Sequence, residues 1–289
     1  MKSSAPNART MDHRGREKGV LVYPVYSRRS GGLSIGINLF PDKKICSFDC
    51  PYCEVFPFST NTSFSLEQME DEFRTAVAAN LKRDIPIRDI CFSGNGEPTM
   101  SKDFPEALKC AFRVRSELAA SANLVLITNG SGLLDARLFS LLSNAASTSS
   151  GLDIWLKLDA GTPEWYKKMN RSDIPHEKLI AGIKAFNACT PVTIQTMICA
   201  VDKDEAPPEE IQAWENLIVE LAIASKGLFK VQIYGKARPS PEDPASLALP
   251  VERLEERAAS LSRVITMALG VNTAQGAAKS AKPCVEVYP

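Results

Sequence analysis

Three cysteines fall within eight residues, Cys46-Ser-Phe-Asp-Cys50-Pro-Tyr-Cys53, at the spacing C-x3-C-x2-C. Thiolates are soft donors that suit zinc and iron–sulfur clusters, and a cluster draws several of them from one loop. The same spacing also fits one face of a helix, a zinc site completed by a distant fourth ligand, or a disulfide that leaves an odd thiol. Pro51 and the polar flanks argue against a regular helix. Three thiolates on a four-iron cluster leave one iron without a protein ligand, and an open position separates a catalytic metal centre from a structural one. The other five cysteines, Cys91, Cys110, Cys189, Cys199 and Cys284, are scattered. Cys91 and Cys199 lie in apolar segments and read as small core residues. Cys284 is a lone tail thiol, with a hydrogen-atom donor or an extra ligand as its functional readings.

One apolar segment downstream comes Ser93-Gly94-Asn95-Gly96-Glu97-Pro98-Thr99. Glycines allow a backbone to approach a ligand closely, and a carboxylate suits an ammonium group. The bland reading is a glycine turn with a solvated glutamate. Arg28, Arg29 and Arg238 flank apolar segments and are candidates for holding an anionic substrate. His13 and His176 have no partnering motif and do not read as catalytic bases.

These residues need elements to position them. Apolar runs predict strands over 33–40, 89–93, 123–128, 152–158, 191–198 and 228–234. Helical periodicity predicts helices over 65–82, 104–119, 133–143, 176–188, 209–224 and 251–269, with Ser65 as the first N-cap. Continuous rather than alternating apolar strands indicate parallel pairing covered on both faces. The strict strand–helix alternation gives right-handed crossovers in an open partial barrel or a doubly wound sheet. In both, ligands bind where the strand C-termini deliver their loops.

The 289 residues are read as a flexible basic leader (1–21), one α/β domain (22–269) and a small-residue-rich, loosely ordered tail (270–289). Lys plus Arg and Asp plus Glu both total 34, so the formal net charge is zero, and bulk nucleic-acid binding is not expected. No apolar run reaches the roughly 18–20 residues of a membrane-spanning helix, so no membrane partner is expected. Residues 1–18 lack the apolar stretch of a secretory signal, which places the chain in a reducing cytoplasm.

The cysteine triad with Tyr52 just before its third member, in a loop after the first predicted strand, resembles the radical S-adenosylmethionine (radical SAM) superfamily. Ser93 to Thr99 resembles that superfamily's Gly-Gly-Glu-Pro motif. The resemblance implies an α/β partial (β/α)6 barrel of mostly parallel strands. It implies a [4Fe-4S] cluster on Cys46, Cys50 and Cys53, with SAM chelating the open iron. It also implies reductive cleavage of SAM to a 5′-deoxyadenosyl radical, which abstracts hydrogen from a substrate. The cofactor-binding residues it implies are Tyr52, Gly94, Asn95, Gly96, Glu97, Thr128, Asn129, Lys157, Asp159 and Gln195. Lys157 suits the SAM carboxylate, Asp159 the ribose hydroxyls, and Thr128-Asn129-Gly130 a polar SAM contact. Tyr26-Ser27-Arg28-Arg29, Leu33 to Asn38, and Val231 to Tyr234 with Arg238-Pro239 resemble the wyosine-synthase-like branch, spanning roughly 22–268. The partners implied are a small-molecule or nucleoside/RNA-base substrate and an external electron donor of flavodoxin or ferredoxin type. A noncatalytic zinc or iron–sulfur redox-sensing module is the competing reading.

Overall fold

The computed structural model describes residues 19–147, 151–227, 229–273 and 284–289. By contacts the chain groups into two compact units. One comprises the described residues through Cys46, Cys53–Ile127 and Ala237–Pro241; the other comprises Ser47–Tyr52, Thr128–Lys236 and the described residues from Glu242 onward.

In the first unit β1 (Val22–Ser27), β2 (Gly32–Ile37), β3 (Ile87–Phe92) and β4 (Asn123–Thr128, its last residue counted with the second unit) lie in sequence order. The β1–β2 pair is antiparallel, whereas β2–β3 and β3–β4 are parallel. Helices α1 (Leu66–Leu81) and α2 (Phe104–Leu118) supply the crossovers. Ser65 caps α1 by accepting from Gln68 N at 3.3 Å. Met69, Phe73 and Val77 of α1 are fully buried, and α1 packs on β1, β2 and β3. Deleting a buried aromatic ring costs about 3–5 kcal/mol. Phe73→Ala is therefore expected to lower the unfolding free energy by about that much in a urea titration.

Sequence periodicity did not predict β1. Pro24 sits in its middle, and proline is tolerated on an edge strand, where its missing N–H breaks no ladder bond. The strand predicted over 33–40 ends at Ile37 because Asn38 turns the chain: its Oδ1 accepts from Phe40 N at 3.1 Å.

The second unit contains α3 (Ala136–Ala146), β5 (Leu152–Lys157), α4 (Pro163–Met169), α5 (His176–Asn187), β6 (Thr193–Val201), α6 (Pro208–Ala224), β7 (Lys230–Gly235), β8 (Ser246–Ala248), α7 (Val251–Thr273) and β9 (Cys284–Tyr288). Strands β5, β6, β7 and β9 follow in that order and are parallel, and β8 pairs antiparallel with β6. Eight of the nine β6 residues are buried, as a strand covered on both faces requires. Two short elements escaped the sequence reading: α4, opened by Thr162 capping Trp165 N at 3.2 Å, and β8, inside a proline-rich stretch read as a loop. The tail corrects a further expectation, because Cys284–Tyr288 is a paired strand rather than loosely ordered chain. Residues 1–18 of the expected leader and 274–283 of the tail lie outside the described residues.

Candidate active site

In the first unit the cysteine loop begins against the glycine motif. Ile45 N donates to Asn95 O at 3.2 Å and Glu97 N donates to Ile45 O at 2.8 Å, a short parallel bridge centred on Gly96. A Cβ on Gly96 would stand 1.9 Å from Ile45 O, so no other residue fits there without moving the backbone before Cys46. Gly94 has φ +115°, a conformation that side-chain-bearing residues avoid. Asn38 Oδ1 also accepts from Asn95 N at 3.2 Å, and Asn95 Nδ2 donates to Phe40 O at 3.1 Å. Glu97 is buried, and its Oε1 accepts from Thr99 N at 3.2 Å and Thr99 Oγ1 at 2.7 Å, capping a single 3₁₀ turn. These glycines thus make a docking platform for the start of the cysteine loop.

In the second unit the loop's middle meets a largely buried polar cluster. Asp159, just past β5, is buried. Its Oδ2 accepts from the Tyr52 hydroxyl and from Asn170 Nδ2 at 2.8 Å, and stands 3.4 Å from Lys157 Nζ; its Oδ1 accepts from Met197 N at 2.9 Å. Asn170 Nδ2 also points at Cys50 Sγ (3.6 Å) and the Tyr52 hydroxyl (3.3 Å). The Lys157 ammonium lies 4.9 Å from the Tyr52 ring centre and 5.2 Å from that of Tyr234, whose hydroxyl it also contacts. Such cation–ring contacts strengthen as water is excluded.

Burial, followed by the charge of Asp159, pushes the Tyr52 phenol well above its ordinary range, so it stays protonated and donates. Burial opposes the Lys157 ammonium, but Asp159, Tyr234 and Cys50 together raise its pKa, and the charge persists. Cys50 is pushed up to about 12, first by burial, with Lys157 partly opposing. Its thiolate therefore requires a metal to displace the proton.

Asn170 was not found from sequence: it caps α4, and its partner Cys50 is 120 residues away. Its backbone holds the loop as well, since Asp49 N donates to Asn170 O at 2.9 Å. Asn170→Ala removes the donors to Asp159 and Tyr52 from a buried site, a change worth about 1–3 kcal/mol. We expect a loss of that size in chemical denaturation.

The remaining candidates are distributed as follows. Asn129 Nδ2 donates to Ser47 Oγ at 3.0 Å, and Thr128 Oγ1 accepts from Gly130 N at 3.1 Å, which puts this strand end beside the loop. Gln195 is in register with Lys157 and donates to Gln232 Oε1 at 2.7 Å. Arg238 Nε pairs with Glu54 Oε2 at 2.5 Å, directly after Cys53. Arg28 and Arg29 precede β2, at the end of that strand opposite the cysteine loop. His176 is buried, its Nε2 3.4 Å from Ala160 O. Cys91 and Cys199 are core residues as expected.

All three loop cysteines are free thiols, so the disulfide reading has no support. Among the described residues no three Cys, His, Asp or Glu side chains are grouped as a single metal ion needs. Thiolates that ligate separate irons of a cluster stand farther apart than those sharing one ion. The donor set, with a buried sulfur receiving an amide N–H from Asn170, fits an iron–sulfur cluster.

The radical SAM superfamily profile matches residues 43–212, more than half of the chain. The chain belongs to the radical SAM superfamily: it is an enzyme of that class, and membership implies SAM and an iron–sulfur cluster as cofactors. A UPF0026 protein of Synechocystis sp. is 28% identical over 75% of this chain and 76% of its own length. A probable GTP 3′,8-cyclase of Methanosarcina acetivorans is 30% identical over 58% of this chain and 45% of its own length. A solved radical SAM methyltransferase from Sphaerobacter thermophilus has a TM-score of 0.60 at 14% identity, covering 92% of this chain and 69% of that one. That likeness gives the fold class: α/β, with the partial-barrel sheet of mostly parallel strands expected from sequence. The chain spans from 22% to 76% of the length of the curated relatives it matches. Among the described residues no helix is long and apolar enough to cross a membrane.

Proposed function

We propose that Cys46, Cys50 and Cys53 hold a [4Fe-4S] cluster whose open iron binds SAM, and that the enzyme abstracts hydrogen from a nucleoside, an RNA base or a similar small molecule. When bound, the reduced cluster supplies the electron that splits SAM into methionine and a 5′-deoxyadenosyl radical. The cluster of Cys50, Tyr52, Lys157, Asp159 and Asn170 carries this reading. It puts a permanent cation, a buried carboxylate and an amide donor around one thiol of the triad, in a low-dielectric setting where such charges act strongly. Lys157 supplies positive charge for a carboxylate, and Tyr52 and Asn170 fix Asp159. Asn129 braces the same stretch of the loop through Ser47.

The nucleoside preference draws support from the wyosine-synthase-like segments around Ser27-Arg28-Arg29 and Val231 to Tyr234, and from the 30% identity to a probable GTP 3′,8-cyclase. The electron enters from an external flavodoxin- or ferredoxin-like donor, and the compartment is the reducing cytoplasm. The test is anaerobic reconstitution with iron and sulfide, followed by dithionite and SAM, with 5′-deoxyadenosine read by mass spectrometry. About four irons per chain and formation of 5′-deoxyadenosine are expected. Zinc in place of iron, or a reconstituted protein that binds no SAM, overturns the proposal.

A further inference from the structure

A cleft in the second unit meets the arrangement around Cys50 only at Asp159 and Met197. Successive strand residues face opposite sides of a sheet, so Gln195 and Thr196 of β6 point apart. Gln195 is in register with Lys157 and pairs with Gln232 across the sheet, whereas Thr196 Oγ1 accepts from the Trp214 indole of α6 at 3.3 Å. The cleft lies on the Thr196 side. Its apolar wall is Trp165 and Met169 of α4, Ile198 of β6, Ile211 and Trp214 of α6, and Leu249 just ahead of α7. It encloses about 490 Å³ with the solvent at its mouth included, a volume suited to a small molecule. The rim is firm. Val201 and Asp204 exchange backbone hydrogen bonds at 2.9 and 3.0 Å, Lys168 pairs with Asp204 at 2.7 Å, and Arg253 pairs with Glu205 at 3.0 Å. A site already in shape loses little ordering entropy when a ligand enters.

The charged groups lining the cleft are Asp159, Glu205, Glu210, Arg253 and Arg257. All but one are engaged. Asp159 holds Tyr52 and Asn170. Glu210 accepts from Gly161 N at 2.6 Å, Thr162 N at 2.8 Å and Thr162 Oγ1 at 2.5 Å. Glu205 and Arg253 hold each other, and Arg253 also reaches Glu256 at 3.2 Å. Arg257, one turn further along α7, is half-buried, and among the described residues it makes no ion pair or hydrogen bond. Burial, and then the charge of Arg253, lowers its pKa; Glu215, Glu205 and Glu256 offset this only in part. An apolar, indole-walled cleft with one uncompensated guanidinium favours an anion carried on an apolar body. A carboxylate matches the guanidinium in charge and in planarity. We propose that this cleft binds a small apolar carboxylate, with its acid group on Arg257 and its hydrocarbon between Trp165 and Trp214, at a site separate from that for SAM. The inference stands independently of the SAM-binding reading above.

Isovalerate, its isosteric amide isovaleramide and the cation isoamylamine are the probes, titrated calorimetrically into the reconstituted full-length protein while the indole N–H signals are followed by NMR. Isovalerate is expected to bind with a Kd of about 1 mM, a strength that its few heavy atoms can supply. Of the three tryptophans, Trp165 and Trp214 should shift and Trp155, which lies in β5 and outside the cleft, should not. The amide and the amine should bind about tenfold more weakly or worse, because neither satisfies the guanidinium. Arg257→Met keeps the apolar stem and loses the charge, so it should weaken isovalerate about tenfold with melting temperature and iron content unchanged. Arg257→Lys should recover part of that loss. Saturating SAM should leave isovalerate bound. Equal affinity for the acid and its amide, wild-type affinity in Arg257→Met, no binding of isovalerate at about 10 mM, or its displacement by SAM overturns the proposal. A protein that takes no SAM but binds isovalerate in this pattern overturns the function reading instead and leaves the carboxylate site standing.

Discussion

Replacing Cys50 with alanine is expected to leave a folded protein that retains less than one iron per chain and forms no detectable 5′-deoxyadenosine. The chemistry is all-or-none because a cluster that loses one of three local thiolates has two free irons and no fixed position. The fold should survive. Cys50 contributes a small buried group, and Asp159 keeps Tyr52, Asn170, Lys157 and Met197 N when the sulfur is gone. A cost of about 1 kcal/mol is the scale for such a truncation. Cys91→Ala and Cys110→Ala are the controls, since both thiols are buried core residues, one in β3 and one in α2. If Cys50→Ala cleaves SAM at the wild-type rate, the assignment of the triad fails; if the two controls lose iron equally, the loss reflects instability and not ligation.

The residues that sequence reading located are those whose chemistry is local. The C-x3-C-x2-C spacing puts its three thiols in one loop, and β4 and α5 begin where apolar periodicity put them, at Asn123 and His176. What it missed depends on partners far along the chain. Asn170 has no motif; it matters because α4 delivers it to Cys50 and Asp159. Asn38 ends the family-like segment that starts at Leu33, but its role in bracing the Asn95 turn, 57 residues on, appears only when β2 and β3 are paired. Glu286 sits in a tail that composition marks as unstructured, and only the β7–β9 register places it opposite Gln232. Local chemistry is legible in a sequence, whereas the side chains that aim it are set by tertiary contact.

Gly96→Ala should be among the most damaging single-methyl changes at the described residues, through geometry alone. The added Cβ would sit 1.9 Å from Ile45 O, 2.8 Å from Ile45 C and 3.0 Å from Ile45 N. All three are backbone atoms, so no rotamer change relieves the contact. The chain must instead separate the two segments, breaking the Ile45 N to Asn95 O and Glu97 N to Ile45 O bonds. Two lost hydrogen bonds with buried partners left unmet are worth about 2–6 kcal/mol together. The displaced residue is the one before Cys46, so the damage reaches the cluster even in molecules that stay folded. Expected outcomes are a clear drop in melting temperature and poor iron retention on reconstitution. Gly270→Ala provides the contrast: a Cβ at Gly270 meets nothing within 4 Å, and an alanine within a helix is favoured over glycine. That variant should be neutral or slightly stabilising and should keep its full iron complement. If Gly96→Ala retains wild-type iron and melting temperature, the Ile45–Gly96 bridge does not hold the cysteine loop. In that case the glycine motif serves the ligand directly, as its resemblance to the superfamily's Gly-Gly-Glu-Pro segment first implied.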